Sequence, residues 1–269
     1  MRLLAIDSAT ERLALAAVDD GRPGPEAHGH GHGHAAHAHL VRAACRIEAR
    51  DLEGGAAASS QALPALMQLM QALGWRFQDL DAIAFGAGPG GFTGLRTACA
   101  VAQGLAFGQG LPVVPVDSLA IVADDAARQL GDVLPAQAPI WVLMDARMDE
   151  IYAGCYADEG TAGWRAVVAP ALTTPYALNE AWLQSPPQAV AGSALTAFGD
   201  RLVCGDALRV PLERARAESL GWLAAAGLAR GDAVAADRAL PVYLRDKVAL
   251  TTAEREAAKS QRDAASGGT

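Results

Sequence analysis

The sequence predicts an α/β fold in which one unit occurs twice, and three observations carry that prediction. Two stretches share the order strand, aspartate, turn, strand: "RLLAID" at 2–7 with "RLALAAV" at 12–18, and "IWVLMDA" at 140–146 with "EIYAGCYA" at 150–157. Between them, a short apolar run at 81–86, a glycine loop, a helical stretch and the strand "PVVPVDS" at 112–118 give the alternation of an α/β layer. The chain has 269 residues, 51% of them hydrophobic and 19% charged. That is enough for one large domain or two modest ones, each with its own core.

The first two runs read as a hairpin, closed by "DDG" with a turn at Asp20 and Gly21, and 40–49 resumes an extended pattern. Between them lies "GPEAHGHGHGHAAHAH", which holds all six histidines: His28, His30, His32, His34, His37 and His39. Gly/His/Ala composition without an apolar face reads as a solvent-exposed insert at a hairpin tip, over 24–39. Histidines two apart point to one side of an extended chain, so His28, His30, His32 and His34 offer adventitious metal binding and no built metal centre. The tract also excludes by subtraction. A nucleophile and imidazole pair, or a helical zinc motif, would need a histidine from a low-complexity loop, which cannot hold catalytic geometry.

Leu63, Leu66, Met67, Met70 and Leu73 recur at helical spacing over 63–73, with Ser59 or Ser60 to cap and Gly74 to stop the helix. The loop "GAGPGG" at 86–91 matches G-x-G-x-x-G, but it follows a hairpin, a helix and a third strand, where a dinucleotide fold carries its fingerprint on the first strand. A Walker loop fails because Leu95 and Arg96 stand where Gly-Lys-Ser/Thr is required. What remains is a turn that sets the N–H groups of Gly91, Phe92 and Thr93 at a helix start, a place suited to an anion. Pro89 fixes one φ, Gly90 and Gly91 permit positive φ, and Thr93 serves as cap. Arg96 opposes the helix dipole, so a carboxylate partner or a contact is expected for it.

The helix over 94–108 carries two small stripes, Ala98, Ala102, Ala106 and Ala100, Gly104, Gly108. They let neighbours approach on two sides: the helix at 63–73, and either a further element or another chain. A helix at 118–130 follows, then the second hairpin, helices at 175–184 and 213–230, a strand at 188–192, and a polar tail at 251–269 expected to fray.

No apolar stretch reaches the length of a membrane span, and an early Asp argues against a signal peptide, so a cytoplasmic protein is expected. Cys45, Cys99, Cys155 and Cys204 lack any CxxC spacing and read as reduced, buried thiols. A net charge of −8 argues against the chain gripping a nucleic-acid backbone by itself.

Taken together, "LLAIDSAT" at 3–10, "GAGPGGFTGLR" at 86–96, "QGLAFG" at 103–108, "DARMDEIY" at 145–152 and "PVYLRDKVALTTAER" at 241–255 resemble the TsaB (YeaZ) family from Met1 to about Arg255. The resemblance implies two RNase H-like subdomains of the actin, Hsp70 and sugar-kinase (ASKHA) superfamily, divided here as 1–118 and 119–250. The helix at 213–230 is left free to pack back on the first subdomain. It further implies a dimerisation subunit in t6A synthesis: a noncatalytic partner of a TsaD-like paralogue and a TsaE-like ATPase in a complex that transfers threonylcarbamoyl to N6 of adenosine 37 in tRNAs reading A-starting codons. ATP and metal belong to those partners, tRNA is met through the complex, no membrane is involved, and the chain forms a homodimer when the partner is absent.

The residues give this a physical reason. Active relatives hold ATP phosphates between two hairpins, the second with a run such as DxGGGT. Here 145–150 reads Asp-Ala-Arg-Met-Asp-Glu, without glycine and with extra carboxylates. The remnants are Asp7, Ser8 and Thr10 in the first hairpin, Asp145 and Arg147 in the second, and Val190 to Ala194 with one glycine. By the resemblance, partner contacts fall on Leu63, Leu66, Met67, Met70, Thr93, Arg96, Ala100, Gly104, Phe107 and Gly108, with Gly88, Pro89, Gly90, Gly91, Phe92 and Gly94 as the structural loop. A superfamily peptidase and a small-molecule kinase are the alternatives.

Overall fold

The computed structural model describes residues 1–21, 45–135, 138–160 and 163–245. The histidine-rich insert and the tail at 251–269 lie outside these residues. The first sheet contains β1 (Arg2–Asp7), β2 (Arg12–Asp19), β3 (Arg46–Glu53), β4 (Ala82–Gly88) and β5 (Val113–Asp117), in the order β3-β2-β1-β4-β5. The second contains β6 (Ile140–Asp145), β7 (Ile151–Asp158), β8 (Trp164–Thr173), β9 (Ala189–Ala191) and β10 (Leu208–Val210), in the order β8-β7-β6-β9-β10. The two orders are the same. In each sheet the first three strands of the unit run antiparallel, and the last two join parallel beside the first. This is an α/β, RNase H-like fold formed twice.

Alternation along the strands distributes the core. Leu3 and Ala5 of β1 face one apolar cluster, whereas Leu4 and Ile6 face another, so β1 is apolar on both sides because both sides are covered. Five layers result. Helices α1 (Ala58–Leu73) and α2 (Phe92–Gln109) cover the outer face of the first sheet. Helix α3 (Ser118–Leu130) lies between the sheets and meets strands of both. Helices α4 (Pro175–Gln184) and α5 (Ala194–Phe198) cover the outer face of the second sheet. The last helix, α6 (Arg216–Arg230), returns to the inner face of the first sheet, across β1, β2, β3 and β5, beside α3.

Several boundaries differ from the sequence expectations. The turn joining β1 to β2 is 8–11; Asp20 and Gly21 follow β2. Helix α1 begins at Ala58, because a 3-10 turn at Gly55–Ala57 runs directly into it, and the Ser60 hydroxyl donates back to the Ala57 carbonyl instead of capping. Its end is as expected: Gly74 is left-handed at φ 67°, its N–H shared by the Met70 and Gln71 carbonyls. Gly91 is the residue before α2, and Thr93 lies inside the helix without capping it. Helix α6 starts at Arg216 because Asp125 holds the N–H groups of Arg214 and Ala215 outside it. Strand β8 carries no sequence signal: most of its residues are exposed on both faces and Pro170 interrupts it, so neither alternation nor an apolar run marks it.

Candidate functional site, a cleft between the sheets

A cleft of about 990 Å³ opens where the two hairpin turns face each other. The turn at 8–11, the glycine loop, the turn at 145–151 and the segment 242–245 border it. The glycine loop packs against the first turn so closely that side chains are excluded. A Cβ on Gly94 would fall 1.7 Å from the Ser8 carbonyl oxygen, one on Gly90 2.5 Å from that of Ala9, and one on Gly86 1.6 Å from the Asp7 carboxylate. Of the loop glycines, Gly88 alone has positive φ, at 109°, and the Gly88 to Pro89 bond is cis. Gly90 is therefore required for space at the turn, not for positive φ as expected, whereas a Cβ on Gly91 would lie 3.5 Å from the Ala9 carbonyl, an ordinary contact.

Asp7 does not reach the cleft. Its carboxylate is fully buried and accepts from Arg216 Nε at 2.7 Å and Ser118 Oγ at 3.1 Å, while the Ser118 hydroxyl also accepts the Gly88 N–H. Arg216 in turn donates to Glu213. Burial opposes the Arg216 charge, but the two carboxylates outweigh it and push its pKa further up. The expectation that Asp7 is a remnant phosphate ligand is thus corrected: the carboxylate is a structural ion. Ser8 and Thr10 do line the cleft, although the Ser8 hydroxyl donates to the Gly94 carbonyl.

The second turn differs from its expected behaviour. Without glycine, Arg147, Met148 and Asp149 nonetheless take left-handed φ values of 62°, 55° and 63°. Neighbours hold them there. Arg147 pairs with Asp145 and reaches across the mouth to Glu11, each at 3.0 Å, and Asp149 takes a bidentate bond from Arg201 at 2.5 and 2.7 Å. The Arg201 hydrogen bond holds the Asp149 carboxyl below its ordinary pKa. An exposed pair such as that of Arg147 with Glu11 contributes only about 0–1 kcal/mol.

The backbone donors are the firmer constraint. The Gly91 N–H, expected to face an anion, donates to the Ala9 carbonyl at 2.7 Å. Ala9 and Arg12 donate to Asp7 and Thr10; Asp145 and Arg147 donate to Ser193 and Asp145; Ala146 and Glu150 bond within the turn. Each of these N–H groups thus has an acceptor within the protein. In the remnant at Val190 to Ala194, Gly192 is left-handed at φ 113°, and a Cβ there would lie 2.3 Å from the Leu143 carbonyl. Among the described residues no group of three or more His, Cys, Asp or Glu is placed to hold a metal ion, and no helix is long and apolar enough to cross a membrane.

The α1 and α2 face divides the predicted contact residues. Leu66 and Met70 are buried against the first sheet, so they are corrected to core positions, each contributing about 1.5–3 kcal/mol of burial. Ala98, Ala102 and Ala106 are buried with them. Leu63, Met67, Thr93, Arg96, Ala100, Gly104, Phe107 and Gly108 are exposed, Phe107 at 81%. Added Cβ atoms at Gly104 and Gly108 would meet nothing within 4 Å. Arg96 finds contacts rather than a carboxylate: its guanidinium lies 4.0 Å over the Phe92 ring, and its Nε donates to the Tyr243 hydroxyl at 3.1 Å. Sequence reasoning missed Arg216, Glu11 and Arg245. Tyr243 and Arg245 lie in the quoted "PVYLRDK", but their roles come from the fold.

The class is that of duplicated RNase H-like α/β proteins with an interlobe cleft. Residues 55–188 match the family described as TsaD: tRNA N6-adenosine threonylcarbamoyltransferase. The chain is 31% identical to the tRNA threonylcarbamoyladenosine biosynthesis protein TsaB of Escherichia coli, over 93% of this chain and 96% of that one. It is 28% identical to the TsaB of Haemophilus influenzae, over 92% and 95%. The solved structure of YeaZ from Pseudomonas aeruginosa is similar with a TM-score of 0.71 and 32% identity, over 90% of this chain and 99% of that one. The chain belongs to the TsaB family.

Proposed function

We propose that this chain is a noncatalytic subunit in the synthesis of threonylcarbamoyladenosine in tRNA. In this reading it supports a TsaD-like paralogue that transfers the threonylcarbamoyl group to N6 of adenosine 37 in tRNAs reading A-starting codons. The observation that carries it is the internal bonding of the N–H groups in both cleft turns, at Ala9, Gly91, Ala146, Arg147 and Glu150. A triphosphate needs such donors pointed at it, and here each already has an acceptor. In this reading the chain does not bind ATP productively, and ATP and metal belong to the paralogue and to a TsaE-like ATPase. The name carried by the relatives supports the pathway.

The exposed face of α1 and α2 is the docking surface in this reading. Leu63, Met67 and Phe107 supply apolar area, and the open space at Gly104 and Gly108 lets a partner helix come close. The same face pairs two copies when the paralogue is absent, and the negative charge leaves tRNA contact to the rest of a cytoplasmic complex. Two measurements test the reading. Calorimetry of the isolated chain with Mg·ATP is expected to show no binding, and micromolar affinity would overturn the noncatalytic assignment. Gly104→Leu is expected to leave the chain folded and to abolish co-elution with the paralogue; an intact complex would remove α2 from the interface.

A further inference from the structure

We infer that residues 241–245 form a strap that couples the α2 face to the turn at 145–150 in the cleft. The inference rests on the reading of α2 as a docking face for its partner-dependent half only. The near end of the strap is fastened to the first sheet and α2. The Val242 N–H donates to the Ala87 carbonyl at 2.7 Å, and the Tyr243 ring packs on Phe92 with centroids 5.3 Å apart while its hydroxyl accepts from Arg96. The far end is fastened to the second sheet's turn. Arg245 donates to the carbonyls of Ala146 at 2.9 Å and Arg147 at 3.3 Å, and pairs with Glu150 at 2.8 Å.

Only Leu244 separates the two fastenings, and two residues of extended chain span at most about 7 Å, so a displacement at either end is absorbed by little backbone besides the Arg245 side chain itself. The turn that Arg245 holds is the one with three successive left-handed residues and no glycine. Such backbone persists because its surroundings impose it. Loosening the strap therefore relaxes the turn. Arg96 and Tyr243 are exposed at the end of the face that carries Ala100, Gly104 and Phe107. A partner covering that face removes water from the Arg96 to Tyr243 bond and tightens the strap, and the turn in the cleft is held more firmly, although the partner does not touch it. Two states of one element, biased from one end, are what such coupling requires.

Hydrogen exchange at the amides of Ala146, Arg147 and Glu150 reads the state of the turn. In the isolated chain, Tyr243→Ala is expected to speed their exchange about tenfold, with the β1 and β4 amides unchanged as the control for folding. Tyr243→Phe, which keeps the ring and loses the hydroxyl, falls between. Wild-type rates in Tyr243→Ala would overturn the strap, whatever the partner does. In the complex with the paralogue, the turn is expected to exchange more slowly than in the free chain, and Arg245→Ala to lose that slowing and, because coupling is reciprocal, to bind the paralogue more weakly by no more than the factor of slowing it loses. Protection of α2 without any change at the turn would overturn the coupling and leave the docking reading intact. Complex formation without protection of α2 would overturn the docking reading and with it the partner-dependent half, while the result for Tyr243→Ala still decides the strap.

Discussion

Asp7 at the end of β1 and Arg216 at the start of α6 meet at 2.7 Å, 209 positions apart in sequence, and neither is more than 1% exposed. A lone charge in that setting is far more costly than the pair, so the two side chains fasten the last helix to the first strand. Arg216→Met is expected to lower the unfolding free energy by about 3–5 kcal/mol, because the Asp7 carboxylate is then left without its counter-ion. Adding Asp7→Asn should recover part of that loss. Urea denaturation of the two variants checks the order; equal stabilities would mean that the pair is not what Asp7 depends on.

Gly94 and Gly104 share a helix and should respond in opposite directions. Gly94→Ala drives a Cβ into the Ser8 carbonyl and is expected to cost about 3 kcal/mol. Gly104→Ala meets open space and is expected to stabilise the isolated chain by about 0.8–1 kcal/mol through helix propensity. Thermal unfolding of the two variants side by side is the measurement.

Met148 sits left-handed in the middle of the second turn with its side chain exposed. Met148→Gly is expected to stabilise the chain by about 1 kcal/mol, since glycine adopts that conformation without the steric cost of a Cβ. Arg245 Nη1 also donates to the Met148 Sδ at 2.9 Å, and a destabilised variant would show that this contact outweighs the backbone gain.

The Asp149 carboxyl should titrate below the ordinary value of 3.8, because the bond from Arg201 favours its ionised form. The folded pKa is the lower one, so the stabilisation is complete above the unfolded value and disappears as pH falls through the folded value. Carboxyl NMR on the chain and on Arg201→Ala is the check: the variant should move Asp149 back towards 3.8.

Much of this fold is legible locally. The repeated hairpins announce themselves because each pairs apolar runs with an Asp at a strand end, and α1 ends where Gly74 says it must. Strand β8 is illegible because sheet pairing with β7, and not its own pattern, makes it a strand. The site is legible in part. Position and composition identify the two turns and the glycine loop, but the reason for the glycines is a contact with a turn some eighty residues earlier, and the missing glycines of the second turn do not prevent its left-handed path. Arg216 offered one clue, a cation at a helix start where the dipole disfavours it. Leu66 and Met70 share a helical repeat with Leu63 and Met67, and only the direction of the sheet separates core from surface.

The return of α6 to the first sheet has a consequence for synthesis. While the chain emerges from the ribosome, the inner face of its amino-terminal sheet has α3 but not α6 to cover it until residue 230 has been made, and Asp7 waits for Arg216 meanwhile. The early half is thus an unfinished body, exposed to proteases and to self-association until that last helix is delivered.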